Sequence, residues 1–198
     1  MRAASPGLYV NEANCHPFQN GRFLWMHNGD IAGFELIRCK LRTALSDAAY
    51  DAIEGTTDSE HAFALFLDRL APRFDDYEVG DIQAALVETI HQLDAWTVEA
   101  GTETPSHYNF AVTDGNSVVV TRYVSQDGAP AHSLYVAVGE RFENVDGHYV
   151  MEPTDGAPDA VIVASEPLTE DRSFWREVPA NSMVTVTPEL HVHTAAID

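Results

Sequence analysis

Three short segments carry side chains that together suit one kind of substrate. Arg2 has a guanidinium that can hold a carboxylate through two parallel hydrogen bonds, and Asp58 has a carboxylate that can hold an ammonium group. Asn28 and Gly29 can present a side-chain amide and a backbone N–H to one point, as an oxyanion hole requires. The combination predicts a substrate with an α-amino group, an α-carboxylate and a carbonyl carbon open to attack.

Each segment also has a purely structural explanation. Asn28-Gly29 is a common turn sequence, and Thr57-Asp58-Ser59-Glu60 is typical of a helix start, where a threonine N-cap precedes a glutamate by three residues. His191 and His193 would lie on one face of a strand, but no third ligand accompanies them, so we predict no metal site. The three segments therefore indicate chemistry only in combination.

The elements that must position these residues fall into two groups along the chain. Residues 23–27 form an apolar run that predicts a buried strand ending in a turn at Asn28-Gly29. Three amphipathic helices follow, beginning near Phe34, at Thr57 and near Asp81. The second half predicts strands at 109–113, 118–124, 134–138, 160–164, 183–186 and 190–193, with a further hairpin around Asp146-Gly147. This order predicts an α+β fold in which antiparallel sheets are layered with helices.

Composition excludes several classes of partner. The 198 residues include 11 basic and 31 acidic side chains, a formal net charge of −20. This excess argues against nucleic acid and anionic membranes, because both are bound through basic patches. Residues 160–164 are the longest apolar run, too short to cross a bilayer, and residues 1–7 lack the apolar core of a signal peptide. We predict a cytoplasmic protein that uses no cofactor.

Four motifs, taken in order, resemble a known family. They are Arg2-Ala3-Ala4-Ser5, Asn14-Cys15-His16-Pro17-Phe18, His27-Asn28-Gly29 and Thr57-Asp58-Ser59-Glu60. The chain resembles the class II glutamine amidotransferases, which are N-terminal-nucleophile hydrolases. Later segments, including 109–115 and 164–168, are similar to the branch that holds the glutaminase-like subunit of the fungal glutathione-degrading complex and its bacterial relatives. The resemblance implies an αββα sandwich.

The resemblance also implies a role for each matching residue. Arg2 would bind the α-carboxylate of the substrate, and Asp58 would hold its α-amino group. Asn28 and the amide of Gly29 would form the oxyanion hole. Two further residues, Asn14 and His16, would shape the loop around the pocket.

The family's nucleophile is the one feature that the sequence does not match. In this family a cysteine at the mature N-terminus attacks the substrate, and its own α-amino group activates the thiol. Here arginine follows Met1, so we expect residues 1–198 to be a partial glutamine amidotransferase type 2 domain that lacks its N-terminal strands and the nucleophile. We do not expect Cys15, in the Asn-Cys-His-Pro loop, or Cys39, expected to be packed within a helix, to replace it.

Two functions of different class follow from these observations. In the first, the full-length protein is a glutaminase-type amidohydrolase that forms a cysteine thioester with a γ-glutamyl amide and releases glutamate. In the second, the chain is a non-catalytic binding or scaffold remnant of this family. We expect the 198-residue chain alone to be inactive and poorly soluble, because missing strands leave sheet edges unpaired and apolar faces uncovered.

The predicted anchors do not identify the γ-glutamyl substrate. Glutathione and glutamine share the γ-glutamyl end, as do the γ-glutamyl intermediates of ergothioneine synthesis. The resemblance favours glutathione catabolism, with γ-glutamyl hydrolysis in ergothioneine synthesis as the alternative. It also implies a peptidase-like partner subunit.

Overall fold

A computed structural model describes residues 11–198, and the range contains both helices and antiparallel sheets. The helices are α1 (Phe34–Ala44), α2 (Asp47–Asp51), α3 (Asp58–Leu70) and α4 (Val79–Glu99). The strands are β1 (Phe18–Asn20), β2 (Phe23–Asp30), β3 (His107–Thr113), β4 (Val118–Arg122), β5 (Tyr135–Gly139), β6 (Arg141–Val145), β7 (His148–Glu152), β8 (Ala160–Ala164), β9 (Trp175–Glu177), β10 (Ser182–Val186) and β11 (Val192–Ala196). The predicted α+β class is confirmed.

The strands form one large sheet and two small ones. The large sheet has the order β1-β2-β3-β4-β10-β11, and every neighbouring pair in it is antiparallel. The second sheet has the order β8-β5-β9, and β6 and β7 form a separate hairpin. Among residues 11–198, β8 is therefore an edge strand of the second sheet.

The helices cover one face of the large sheet. Alternate residues of β2, Phe23 and Trp25, are fully buried on this face, where Trp25 stacks on Phe63 of α3 with ring centroids 5.5 Å apart. Leu86 and Ile90 of α4 belong to the same apolar core. The amphipathic stripes predicted for these helices are thus the surfaces that pack on the sheet.

The opposite face of the large sheet packs on the second sheet. Val120 of β4 and Val184 of β10 form a core there with Val136 of β5. In the part of the chain that the structure describes, the far face of the second sheet is covered by the β6–β7 hairpin, whose Met151 contacts a cluster with Ala137 and Trp175. The described layers are therefore helix, sheet and sheet, with a hairpin outside.

Several details differ from the sequence-based predictions. The structure adds α2, β1 and β9, which are elements of three to five residues and give little periodicity to recognise. The last strand begins at Val192, two residues later than predicted, and His191 lies just before it. None of the helices within the described range is both long and apolar enough to cross a bilayer.

Candidate active site

Asn28 and Gly29 lie inside a strand, so the prediction of a turn at this dipeptide was wrong. β2 continues to Asp30 because its ladder with β3 is unbroken, with Asn28 opposite Asn109 and Gly29 opposite Tyr108. A Cβ atom at Gly29 would collide with the carbonyl of His107. Glycine is therefore required here by the close approach of two backbones rather than by a turn.

A buried histidine fixes this strand to its surroundings. The His27 side chain is only 3% exposed and lies on the helix side of the sheet. Its Nδ1 is 3.0 Å from Ser59 Oγ in α3, and its Nε2 is 2.9 Å from the carbonyl oxygen of His107. The strand that carries Asn28 is thus held by side-chain hydrogen bonds to the neighbouring helix and to the neighbouring strand.

The Asn28 side chain faces the second sheet, opposite to His27. Its Nδ2 donates a hydrogen bond to Ser165 Oγ at 2.7 Å, and Ser165 directly follows β8. Both residues line a cavity of about 280 Å³ between the sheets. A carboxamide NH₂ has two N–H donors, so one remains for a ligand after the bond to Ser165. The arrangement can stabilise a developing oxyanion.

Asp58 is the first residue of α3, directly after its N-cap. The Thr57 hydroxyl accepts a hydrogen bond from the backbone N–H of Glu60 at 3.2 Å, so the predicted N-cap is confirmed. The predicted capping box is incomplete, because the Glu60 carboxylate accepts from the backbone N–H groups of Glu54 and Gly55 in the preceding loop. Burial of the Glu60 carboxyl raises its pKa.

One hydrogen bond ties Asp58 to the strand of the predicted oxyanion hole. Asp58 Oδ2 accepts from the backbone N–H of Ile31 at 3.0 Å, and Ile31 follows the last residue of β2. Asp58 Oδ1 accepts from the backbone N–H of Ser59 at 2.7 Å. A carboxylate at a helix N-terminus is favoured by the helix dipole. The negative charge predicted to hold an ammonium group is therefore fixed close to the end of β2.

The loop before β1 is attached to the segment that precedes α3. Asn14 Oδ1 accepts from the backbone N–H of Thr56 at 3.0 Å, two residues before Asp58. The His16 ring packs edge-on against Phe18, with ring centroids 4.9 Å apart. Asn14 and His16 belong to this loop but do not line the cavity that contains Asn28, and their role at the pocket stays a prediction. Arg2 lies outside the described residues.

Neither cysteine lines the cavity that contains Asn28. Cys15 is exposed and belongs to the wall of a different cavity, together with Glu12 and Glu60. Cys39 is also exposed, so the prediction that it is packed was wrong. The apolar stripe of α1 passes through Ile37 and Leu41, which turns Cys39 toward solvent.

A pair of imidazoles lies beside the end of β2. The rings of His107 and His132 stack with centroids 4.0 Å apart. Burial lowers the pKa of His132, and the charge of His107 lowers it further, while a hydrogen bond with the Asn28 backbone opposes the shift. The lowered pKa of His132 favours the neutral form of its imidazole beside Asn28.

Sequence reasoning missed the residues that contact or face the Asn28 carboxamide. Ser165 accepts its hydrogen bond, and Asn109 lies directly across the ladder from it. Both residues occur in segments that resemble the family, and this resemblance was the one indication in the sequence that they belong to the site. Their placement depends on strand register and on the packing of two sheets, which single-sequence patterns do not give.

Comparisons with known proteins agree with this architecture. The family model of the class II glutamine amidotransferases matches residues 1–195. The chain is 41% identical over 198 residues to the probable glutamine amidotransferase DUG3 of Saccharomyces cerevisiae. The match covers 94% of this chain and 55% of the yeast protein, so the chain spans about half the length of that relative.

Solved structures show the same fold. A glutamine aminotransferase class-II domain protein from Silicibacter pomeroyi aligns with a TM-score of 0.68 at 29% identity, over 94% of this chain and 72% of that one. A predicted glutamine amidotransferase from Pseudomonas aeruginosa aligns with a TM-score of 0.60 at 19% identity, over 91% and 65% of the two chains. The sandwich of N-terminal-nucleophile hydrolase type is thereby confirmed as the fold class, and the chain belongs to the class II glutamine amidotransferases.

Proposed function

We propose that this chain binds a γ-glutamyl amide and supplies the oxyanion hole for its hydrolysis. The hydrogen bond from Ile31 to Asp58 carries the proposal, because it places a carboxylate near the end of the strand that presents Asn28. A γ-glutamyl amide has an ammonium group and an amide carbonyl carbon a few bonds apart in one molecule. Asp58 would hold the ammonium group, and Asn28 with Gly29 would stabilise the negative charge that develops on the carbonyl oxygen.

The proposed reaction proceeds through a thioester. A cysteine thiolate adds to the amide carbon, and the resulting oxyanion accepts hydrogen bonds from Asn28 and Gly29. The C–N bond then breaks, and the nitrogen leaves as amine or ammonia after taking up the proton that the thiol lost. Water then hydrolyses the thioester to glutamate and regenerates the thiol. We expect the thiolate to be neither Cys15 nor Cys39, because neither residue lines the Asn28 cavity. Arg2 would bind the α-carboxylate.

Glutathione is our first choice among γ-glutamyl substrates, on the basis of the sequence resemblance. The test uses protein expressed from the complete reading frame of the gene. Glutamate release is measured from glutathione and from glutamine at equal concentrations. We expect faster release from glutathione. Faster release from glutamine would overturn this choice of substrate, and release from neither would overturn the proposed activity.

A non-catalytic binding role is the second candidate. The absence of both described cysteines from the Asn28 cavity is the observation that favours it. In that case the protein would bind a γ-glutamyl compound, measured by isothermal titration, without releasing glutamate. Release of glutamate at a rate that Asn28→Ala reduces would exclude this alternative.

We also propose a cytoplasmic location and a peptidase-like partner subunit, both of which rest on the sequence. A tagged copy purified from its own cells is expected to fractionate with cytoplasmic markers and to retain a second subunit of peptidase type. Recovery from a membrane fraction would contradict the location. Recovery of the tagged chain alone would contradict the partner.

A further inference from the structure

Asn109 carries a buried polar atom that has no partner in the described part of the chain. The residue lies in β3 and is 4% exposed. Its Nδ2 donates to the carbonyl oxygen of Ser133 at 3.1 Å, whereas its Oδ1 accepts no hydrogen bond from any residue within 11–198. A buried acceptor without a donor is costly, and such atoms in folded proteins call for an explanation.

The residue that carries the unpaired oxygen lines the cavity of the candidate active site. Asn109 pairs directly with Asn28 across the ladder, so the two side chains lie on the same face of the sheet. Both residues line the cavity of about 280 Å³ between the sheets. Among the buried side-chain atoms that lack a partner within the described range, the oxygen of Asn109 is the one that belongs to a residue of this cavity.

The two carboxamides offer complementary groups to a single ligand. Asn28 gives one of its two N–H donors to Ser165 and keeps the other, while Asn109 gives one of its N–H donors to Ser133 and has an unpaired oxygen. A free donor beside a free acceptor matches the C=O and N–H of an amide. A carboxylate or an ester has no N–H to offer and would leave the acceptor unpaired.

We propose that Asn109 recognises the nitrogen of the scissile amide by accepting its N–H through Oδ1. This inference rests on the proposed function, and it adds a residue that selects amides against esters. While Asn28 binds the carbonyl oxygen, Asn109 binds the adjacent nitrogen and orients the leaving group. A site built to accept an N–H discriminates against analogues that lack it, because its own buried polar group is left unpaired.

The test compares two substrates that differ at the scissile bond, glutamine and the γ-methyl ester of glutamate. Protein from the complete reading frame is assayed as the wild type and as the Asn109→Leu variant, whose side chain is similar in size but has no acceptor. We expect the ratio of kcat/KM for the amide to that for the ester to fall at least about tenfold in the variant. Because both substrates report on the same active molecules, partial misfolding of the variant does not change this ratio.

Two further variants complete the design. Asn109→Ala removes the acceptor without adding bulk, and it should lower the ratio as Asn109→Leu does. Asn116→Leu alters an exposed asparagine in the turn after β3, and it should leave the ratio unchanged. A parallel loss on both substrates in the Asn109 variants, or an unchanged ratio, would overturn the role of Asn109 while leaving the proposed hydrolase activity intact.

Measurements of binding affinity can test the role of Asn109 even if the proposed hydrolysis is not observed. If the wild type releases glutamate from neither compound, the proposed hydrolysis fails, and the equilibrium affinities for the amide and the ester are measured instead. We then expect tighter binding of glutamine than of the ester, and loss of that preference in Asn109→Leu. Equal affinities in the wild type would overturn the inference.

Discussion

The local hydrogen bonds of Asn28 and Asp58 leave a different kind of group available to a ligand at each residue. The Asn28 carboxamide has one N–H held by Ser165 and faces a cavity. The Asp58 carboxylate accepts hydrogen bonds from the backbone of Ile31 and from the backbone and hydroxyl of Ser59. Since a carboxylate has about four acceptor positions, roughly one remains for a ligand. Asp58 is therefore fixed in place and keeps an acceptor position for the ammonium group that we propose it binds.

Replacing Asp58 by asparagine should weaken substrate binding more than it weakens the fold. The carboxamide oxygen introduced by Asp58→Asn can still accept from Ile31, but the negative charge is lost. We expect this variant to raise the KM for γ-glutamyl substrates about tenfold or more. Asp68→Asn is the matched control, because Asp68 lies in the same helix and also accepts a backbone N–H, from Ser46. Equal effects of the two variants on KM would contradict the role of Asp58.

Helices α3 and α4 position the sheet through a few polar contacts as well as through the apolar core. In α3, Ser59 contacts His27 of β2. In α4, Asp94 Oδ2 accepts a hydrogen bond from the hydroxyl of Tyr123, just beyond β4, at 2.7 Å. Burial raises the pKa of Asp94, although the bond from Tyr123 acts in the opposite direction. We therefore expect the contact between α4 and the sheet to depend on pH.

The raised pKa of Asp94 predicts a pH-dependent contribution to stability. The folded state binds this proton more tightly than the unfolded state does. The contribution is therefore fully present below the ordinary pKa of about 4 and is lost as pH rises through the higher folded value. We expect the free energy of unfolding of Asp94→Asn, relative to the wild type, to increase over that interval. Parallel pH profiles of the two proteins in urea denaturation would contradict this assignment.

Across the whole molecule, sequence patterns predicted the helices and strands better than they predicted the contacts between them. Helix α3 was predicted correctly because its N-cap and apolar stripe are local signals. The turn at Asn28-Gly29 was predicted wrongly, because only the paired strand β3 shows that the extended backbone continues. The partnership of Asn28 with Ser165 spans 137 positions and depends on how two sheets pack. Local propensity carries no information on such a contact.

The face of the large sheet toward the second sheet is incompletely covered within the described residues. Leu24 is 36% and Met26 52% exposed, and both line an apolar cavity of about 370 Å³ with Val161 and Val163 of the edge strand β8. We expect the 198-residue chain to bind the dye ANS, because ANS binds exposed apolar surface. We also expect it to melt over a broad temperature range, because unpaired strand edges and exposed apolar faces favour association between chains. Sharp, cooperative melting of a monomer without dye binding would contradict this expectation.

Formation of the γ-glutamyl thioester tests the central claim most directly. Protein from the complete reading frame is mixed with glutathione, quenched in acid and analysed by mass spectrometry for a covalent γ-glutamyl adduct on cysteine. Asn116→Ala serves as the control for Asn28→Ala. The account predicts an adduct that forms about 100- to 1000-fold more slowly in Asn28→Ala than in the wild type and the control. An adduct that forms at the same rate in all three proteins, or in none of them, would contradict it.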